Sequence, residues 1–238
     1  MMDWVDDGIV LACRPLGENG VVASVLTAAH GRHSALVHGG TGKEKRGVLQ
    51  PGNRVRVTWR ARLADQLGSF RVELLRAHAA LVFDDPARLS ALAAACAVAE
   101  VALPERQPHA AAHAALVVFL DALAGEVWPS VYVHWELALL RDLGYGLDLT
   151  ACAATGANDD LAFVSPKSGR AVSASAGEPY RDKLLSLPRF LAAGGEGTAR
   201  EVWDGLALTG FFLDRHVLAP HHQALPAARA RLVDRFRP

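Results

Sequence analysis

The fold of this chain is decided by a seven-residue stretch early in the sequence, Arg54-Val55-Arg56-Val57-Thr58-Trp59-Arg60. Two valines and a tryptophan alternate with three arginines and a threonine. A period of two places successive side chains on opposite faces of a β-strand. One face of this strand is therefore predicted to meet a core, and the other to be basic.

Four further short strands are predicted around this stretch, at residues 8–13, 21–27, 33–38 and 68–74. The segments between them carry turn residues such as Gly17, Gly20, Pro51 and Gly52. Residues 39–47, rich in glycine and lysine, are predicted to form a loop. Five short strands of this kind are typical of a small closed barrel such as the OB-fold, which we predict for residues 1–80.

From Asp84 onward the hydrophobic period lengthens to about 3.6, which indicates helices. Asp85-Pro86 and the capping box Thr198-Ala199-Arg200-Glu201 predict helix starts, and Gly144 predicts a helix end. The inward-facing positions are predicted to include Leu116, Phe119, Leu120, Leu123, Val127, Trp203, Leu206, Leu213 and Val217. We predict an α+β, multi-domain fold, with a helical domain at 81–238 that contains an irregular insertion at 148–180.

Basic residues concentrate in the predicted barrel, although the formal net charge of the chain is +0. Between residues 32 and 62, Glu44 is the one acidic residue among eight basic ones: Arg32, Lys43, Lys45, Arg46, Arg54, Arg56, Arg60 and Arg62. We predict that these eight bind DNA, because arginines sharing a strand face beside a lysine-rich loop suit a row of phosphates. The alternative is an ordinary solvated barrel face. Trp59 and Phe70 could stack on bases, but the alternation directs Trp59 toward the core.

Motifs for catalysis or metal binding are incomplete. The stretch Gly39-Gly40-Thr41-Gly42-Lys43-Glu44 lacks the first glycine and the final hydroxyl of a P-loop, and a strand rather than a helix is predicted to follow it. His109 and His113 lie one helical turn apart without an intervening glutamate, and His221-His222 have no third ligand. We predict a protein that is not an enzyme and that needs no cofactor or metal.

The start of the chain is acidic, and its apolar segments are shorter than the roughly 20 residues that a membrane span needs. Cys13, Cys96 and Cys152 lie too far apart along the sequence to suggest a disulfide framework. We predict a cytoplasmic protein without a membrane partner.

Several motifs, taken in order along nearly the whole chain, resemble the RecO family of bacterial DNA repair proteins. They are Leu16-Gly17-Glu18-Asn19, His30-Gly31-Arg32, Leu49-Gln50-Pro51-Gly52, Leu143-Gly144-Tyr145-Gly146-Leu147-Asp148-Leu149, Phe163-Val164-Ser165-Pro166-Lys167-Ser168-Gly169-Arg170 and Leu184-Leu185-Ser186-Leu187-Pro188-Arg189-Phe190-Leu191. The resemblance implies an OB-fold and a helical domain in a recombination mediator that binds single- and double-stranded DNA and anneals complementary strands. It also implies that the partner RecR and this protein together help to load RecA onto strands coated by single-stranded DNA-binding protein (SSB).

Many members of that family hold zinc with four cysteines after the Leu-Gly-Tyr motif. This chain keeps Cys152, but Thr155 stands where the second cysteine would be, and no later pair of cysteines follows. One thiolate cannot form a tetrahedral zinc site. We therefore predict a zinc-finger-like insertion without metal, in which packing and turns hold residues 150–177.

The resemblance further implies a contact with the tail of SSB, which is acidic and ends in an aromatic residue. Such a tail requires an apolar pocket rimmed by basic side chains, for which Arg141, Arg200 and Arg215 are the candidates. Two alternatives stay open. One is an RNA-binding OB-fold module on a helical scaffold, and the other is an enzyme of unknown type in the helical domain.

Overall fold

The computed structural model describes residues 2–238. Its N-terminal strands are β1 (Met2–Leu16), β2 (Gly20–Thr27), β3 (Gly31–Val37), β4 (Arg54–Ala61) and β5 (Ser69–Arg76). The strands are ordered β1-β2-β3-β5-β4 and β1 also pairs with β4, so the sheet returns on itself as a barrel. The seam between β3 and β5 is narrow, with Leu36 opposite Ser69 as its one parallel pair in residues 2–238. An α+β fold that begins with a five-stranded, OB-like sheet confirms the predicted fold class.

Strand β1 is much longer than the strand predicted at residues 8–13. Its first half pairs with β4 and its second half pairs with β2. Gly8 lies where the two pairings meet, and a Cβ atom there would stand 2.6 Å from the Val25 side chain. The prediction began the strand too late because three early aspartates interrupt the hydrophobic pattern.

The barrel core consists of the alternate side chains of its strands. Val55, Val57 and Trp59 of β4 are buried, whereas Arg56 and Arg60, at the alternate positions, are exposed, which confirms the predicted alternation. Burying each valine contributes about 1.5–3 kcal/mol. The Trp59 indole N–H donates to Leu67 O at 3.0 Å, and the ring is 2% exposed. This burial, which Phe70 shares, leaves neither ring a surface for a nucleic-acid base.

Four helices follow or interrupt these strands: α1 (Lys43–Val48), α2 (His78–Leu81), α3 (Pro86–Ala102) and α4 (Ala110–Ala122). The predicted cap at Asp85 is confirmed, because its carboxylate accepts from the N–H groups of Ala87 and Arg88 at 2.9 and 3.0 Å. Helix α3 packs on the barrel, where Ser24 donates to Glu100 at 2.5 Å.

Helix α1 corrects the prediction that residues 39–47 form a loop with no helix after the glycines. It spans six residues and buries none of them. The preceding Gly42 has an extended backbone, and no side chain caps the helix. A helix that depends on so little local signal is not visible in a hydrophobic pattern.

Contacts group the chain into two compact units. The first contains the chain up to Ala124 together with Pro226–Arg229, and the second contains Gly125–Leu225 together with Ala230–Pro238. Helices α3 and α4 therefore group with the barrel by contacts, whereas the predicted boundary near residue 80 follows the end of β5. The independent folding of domains at 1–80 and 81–238 stays a prediction. Among residues 2–238, no helix is long and apolar enough to cross a membrane.

The second unit is built around helices α5 (Trp128–Asp142) and α8 (Ala199–Phe212). The shorter elements are β6 (Leu161–Val164), β7 (Ala171–Ser173), α6 (Ala174–Gly177), β8 (Leu185–Ser186), α7 (Arg189–Ala193), a π-helical turn (Leu213–Leu218) and 3-10 turns (Glu178–Lys183 and Ala219–His221). Helix α9 (Ala227–Asp234) is divided between the units. The predicted capping box is confirmed, because Thr198 and Glu201 exchange side-chain-to-backbone hydrogen bonds.

Three details predicted for this unit are wrong. Val127 is 36% exposed just before α5, rather than buried on the stripe of α4. Trp203 is only partly buried. The insertion at 148–180 is not irregular throughout, because β6 and β7 pair within it, and β8, which follows it, completes a three-stranded sheet. These strands are two to four residues long, too short for an alternating pattern to be recognised.

Candidate nucleic-acid interface

The outward face of β4 carries the predicted arginine row. Arg56 and Arg60 are exposed and Arg54 is partly buried, so the rigid strand holds three guanidinium groups on one side of the barrel. The neighbouring strand β5 adds Arg71, which lies opposite Thr58, and Arg76, which lies opposite Arg54. The alternation of β5 was visible in the sequence, but these two arginines were not included in the predicted site.

Carboxylates of β1 face the same arginines. Asp7 lies opposite Arg56 and accepts two hydrogen bonds from its guanidinium, at 2.8 Å from Nε and 3.2 Å from Nη2. These hydrogen bonds and the carboxylate charge raise the pKa of Arg56. Asp3 lies opposite Arg60, and cross-strand partners lie on the same face of a sheet. The row is therefore partly neutralised, which sequence reasoning missed because it placed Asp3 and Asp7 outside the strand.

Further acidic side chains flank the row on β5 and α4. Glu73 lies opposite Arg56 and pairs with Arg71 at 3.7 Å. Arg76 forms a 2.6 Å ion pair with Asp121. Arg71 remains 82% exposed, so this pair does not withdraw its charge from solvent. Five arginines and four carboxylates thus share one surface, whose charges alternate instead of forming a uniform basic patch.

Arg32 is placed apart from this row, where it attaches α3 to the barrel. Its Nε donates to Leu103 O at 2.8 Å, and its Nη1 lies 3.4 Å from Glu100. The guanidinium-bearing side chain is only 17% exposed. A cluster of basic residues in the sequence does not show which arginine has a structural role, as Arg32 does, and which is accessible to a ligand.

The remaining predicted residues lie in α1 and in the segment after β4. Lys45 Nζ donates to His38 O at 2.5 Å, and Arg46 Nη2 donates to Thr41 O at 3.1 Å. These bonds fold α1 back onto the glycine-rich segment while both side chains remain exposed. Lys43 and Arg62 are also exposed.

A cluster of aromatic and imidazole rings occupies one part of the barrel. Trp4 stacks on His30 with 3.9 Å between ring centroids, and His33 meets the edge of Trp4 at 5.2 Å. Burial raises the pKa of Asp6, but hydrogen bonds from the Ala29 N–H and from His30 outweigh it and hold that pKa below its usual value. Burial, with the nearby charge of Arg106, lowers the pKa of His33 to about 4.

The second unit contains a groove of about 620 Å³ that is lined by Arg141. Its apolar walls include Leu137, Leu149, Leu161 and Leu191. The other two predicted tail-binding arginines lie elsewhere. Arg200 stacks over Trp203 at 4.9 Å and pairs with Asp204, and Arg215 lies over Phe211 at 5.8 Å.

The insertion is held around Cys152 by hydrogen bonds. The Cys152 N–H donates to Ala157 O at 2.7 Å, and the Ser173 N–H donates to the Cys152 sulfur at 3.3 Å. Hydrogen bonds from Ser173 and Thr155 lower the pKa of the Cys152 thiol to about 6. Within the described residues, three or more histidine, cysteine or carboxylate side chains do not come together in a group that could hold a metal ion.

A two-part architecture of an OB-like barrel and a helical unit is that of the recombination protein O class. Residues 1–78 match the family model described as recombination protein O N terminal, and residues 84–225 match recombination protein O C terminal. The DNA repair protein RecO of Rhodospirillum centenum is 57% identical over 99% of this chain and 95% of its own length. RecO of Rhodospirillum rubrum is 54% identical over 100% of this chain and 97% of its own length. RecO of Phenylobacterium zucineum is 52% identical over 99% of this chain and 98% of its own length. The chain belongs to the RecO family, which confirms the resemblance, and this membership fits a role in DNA repair and recombination.

Proposed function

We propose that this protein is a recombination mediator that binds single- and double-stranded DNA on the outer face of β4 and anneals complementary strands. The observation that carries the proposal is the arginine row held by the rigid strand, at the register Arg54, Arg56 and Arg60. Annealing requires no bond chemistry, so the protein needs no catalytic group. Arginines that neutralise phosphates on two strands reduce the repulsion between the strands and leave partner choice to base pairing.

The interleaved carboxylates suit this role. A mediator has to release the duplex that it forms, and a surface with alternating charge attracts a polyanion less strongly than a uniform basic patch. Asp7 and Glu73, which flank Arg56 on either side, limit how many counterions a bound strand displaces.

The experiment is a titration of labelled single- and double-stranded DNA across a salt series. The variant Arg56→Ala/Arg60→Ala should bind more weakly, with a log–log salt slope shallower by about 1.4 for single strands and about 1.8 for duplex. The matched control is Arg181→Ala/Lys183→Ala, which removes two exposed cations from the second unit. Equal effects of the two variants, or no salt-dependent binding by the wild type, would overturn the proposal. A structured RNA that outcompetes both DNAs would favour the RNA-binding alternative.

We further propose that the groove lined by Arg141 receives the acidic, aromatic-ended tail of SSB. Its support is the combination of leucine walls with one guanidinium at the groove, which matches an apolar side chain beside a carboxylate. A peptide of that chemistry should lose affinity for Arg141→Glu and keep it for Arg200→Glu, because Arg200 does not line the groove. Equal losses would place the contact elsewhere.

The remaining parts of the proposal concern the cellular role. With RecR, the protein would help to load RecA onto SSB-coated strands in the cytoplasm. A reducing compartment agrees with the three cysteines, which form no disulfide. The test is RecA filament formation on SSB-coated single strands with the protein, with RecR and with both. Acceleration only by the pair supports the partnership, and acceleration by neither overturns it.

A further inference from the structure

Three aromatic rings form a continuous stack in the second unit. Phe212 is buried, His216 stacks on it at 5.7 Å and 14° between ring planes, and Tyr145 stacks on His216 at 5.6 Å and 29°. Phe212 is 3% exposed, whereas Tyr145 is 43% exposed. The stack therefore begins in the core and ends with a ring that is open to solvent.

The backbone around Tyr145, the exposed ring, and around His216, the middle ring, has a defined conformation. Helix α5 ends at Gly144 (φ 88°) in a Schellman motif, in which the Tyr145 N–H donates to Leu140 O at 2.8 Å and the Gly144 N–H donates to Arg141 O at 3.1 Å. His216 lies in the π-helical turn Leu213–Leu218, a rare conformation that is frequent at functional sites. Tyr145 thus loses little conformational freedom when a further ring stacks on it.

A cation and a hydroxyl group stand beside the open end of the stack. Lys167 and Ser168, from the turn between β6 and β7, line a depression of about 200 Å³ with Tyr145, Phe212 and His216. Lys167 is exposed, so its ammonium group can reach a ligand without a desolvation cost. Two motifs that marked the family resemblance, around Tyr145 and around Lys167, therefore meet at one place.

We propose that this depression binds one unpaired nucleobase of a single-stranded nucleic acid, which stacks on Tyr145 while Lys167 contacts the adjoining phosphate. The inference rests on the proposed DNA-binding function and adds a contact outside the barrel. An exposed aromatic ring beside a mobile cation is the arrangement by which proteins hold single strands without reading their sequence. The volume is below the 300–1,000 Å³ of pockets that enclose drug-sized ligands, so it suits one flat ring rather than a whole cofactor.

A base contact in this unit would distinguish single strands from duplex. The flat faces of the bases in a duplex are covered by neighbouring bases, so they cannot stack on a side chain, whereas those of a single strand can. Single strands would therefore gain the contact with Tyr145, and a newly annealed duplex would lose it. This loss would favour release of the product.

The test compares Tyr145→Ala with wild type on two labelled oligonucleotides of equal length, one of thymidines and one made entirely of abasic sites. Binding of the thymidine strand should weaken at least about fivefold, the lower end of what one stacked base contributes. Binding of the abasic strand should not change, because its phosphates remain. Tyr145→Phe should bind like wild type. Tyr180→Ala, which removes another exposed tyrosine of the same unit, serves as the control.

The outcomes separate this inference from the proposed function. Equal weakening on both strands would indicate a structural role for Tyr145 and would overturn the inference, as would no weakening on either. If wild type binds both strands with a salt slope that depends on Arg56 and Arg60, the proposed function stands in either case. If wild type binds neither strand, both fail together.

Discussion

Neutralising Asp7 should strengthen DNA binding, although the substitution removes a contact that the structure shows. Asp7→Asn keeps the size of the side chain and removes the negative charge that holds Arg56. The two side chains are 41% and 51% exposed, so the ion pair contributes little to folding and the unfolding midpoint should stay unchanged.

The size of the effect follows from the geometry of the pair. A phosphate that binds Arg56 must approach within salt-bridge distance of the same guanidinium, which places it about 4 Å or more from the Asp7 carboxylate. Two unit charges 4 Å apart in water repel by about 1 kcal/mol, so Asp7→Asn should tighten binding up to about fivefold near physiological salt. Because Arg56 already counts as a phosphate contact in the wild type, Asp7→Asn should steepen the salt slope by less than about 0.7, the value for one whole single-strand contact.

The assay is the DNA titration across a salt series with wild type, Asp7→Asn, Arg56→Ala and the double variant. The gain from Asp7→Asn should vanish when Arg56 is absent. Asp84→Asn removes one negative charge in the same way, but at an exposed position outside the barrel strands, and it should change the affinity for DNA much less. Unchanged affinity and slope for Asp7→Asn, or an equal gain in the Arg56→Ala background, would refute the reasoning.

Three further predictions concern stability. The pKa of His33 is about 6.5 in the unfolded protein and about 4 in the folded protein. As the pH falls from 6.5 toward 4, the unfolded state therefore binds a proton that the folded state does not, and the free energy of unfolding decreases. His33→Phe should remove about 2 to 3 kcal/mol of that loss, measured by denaturant unfolding at pH 7.5 and 4.5, and an identical pH dependence in the variant would contradict this. Gly144→Ala should lower the free energy of unfolding by about 1 to 2 kcal/mol, because alanine disfavours a φ of 88°. The new methyl group meets no atom within 4 Å, so the cost comes from the backbone, and an unchanged denaturant midpoint would contradict this. Thr198→Ala should cost about 1 kcal/mol by removing the capping box, and Thr198→Ser should restore most of it.

Local sequence signals were enough to predict the helix ends and the strand alternation. Asp85, Gly144 and the Thr198–Glu201 pair act within a few residues of themselves, and a period of two identified the two faces of β4. Signals that depend on distant partners were not accessible. Asp3 and Asp7 face arginines only because β1 pairs with β4, a strand some fifty residues later. Without that pairing, the acidic start of the chain gives no sign that it belongs to a strand.

The candidate site shows the same limit. Arg32 and Arg56 have the same side chain in the same basic segment, yet Glu100 and the end of α3 partly bury the first while the second is exposed. The stack of Tyr145 on His216 joins residues separated by α6, α7, α8 and their connections. Periodicity predicted an apolar face for this helix that includes Leu206 and Leu213, but it did not single out Phe212, and no pattern indicated which exposed ring would stack beside it.

The double pairing of β1 has a consequence for the order in which the barrel assembles. The β1–β2–β3 meander and the β4–β5 hairpin each join neighbours in sequence, so the entropy lost on closing their loops is small. Joining the two pieces brings together residues such as Asp7 and Arg56, which are 49 positions apart. Contacts of this range limit folding rates. We therefore expect the pairing of Met2–Asp7 with β4 to form late. Asp3 and Asp7 would then join the arginine row only after the β4–β5 hairpin has already aligned the arginines.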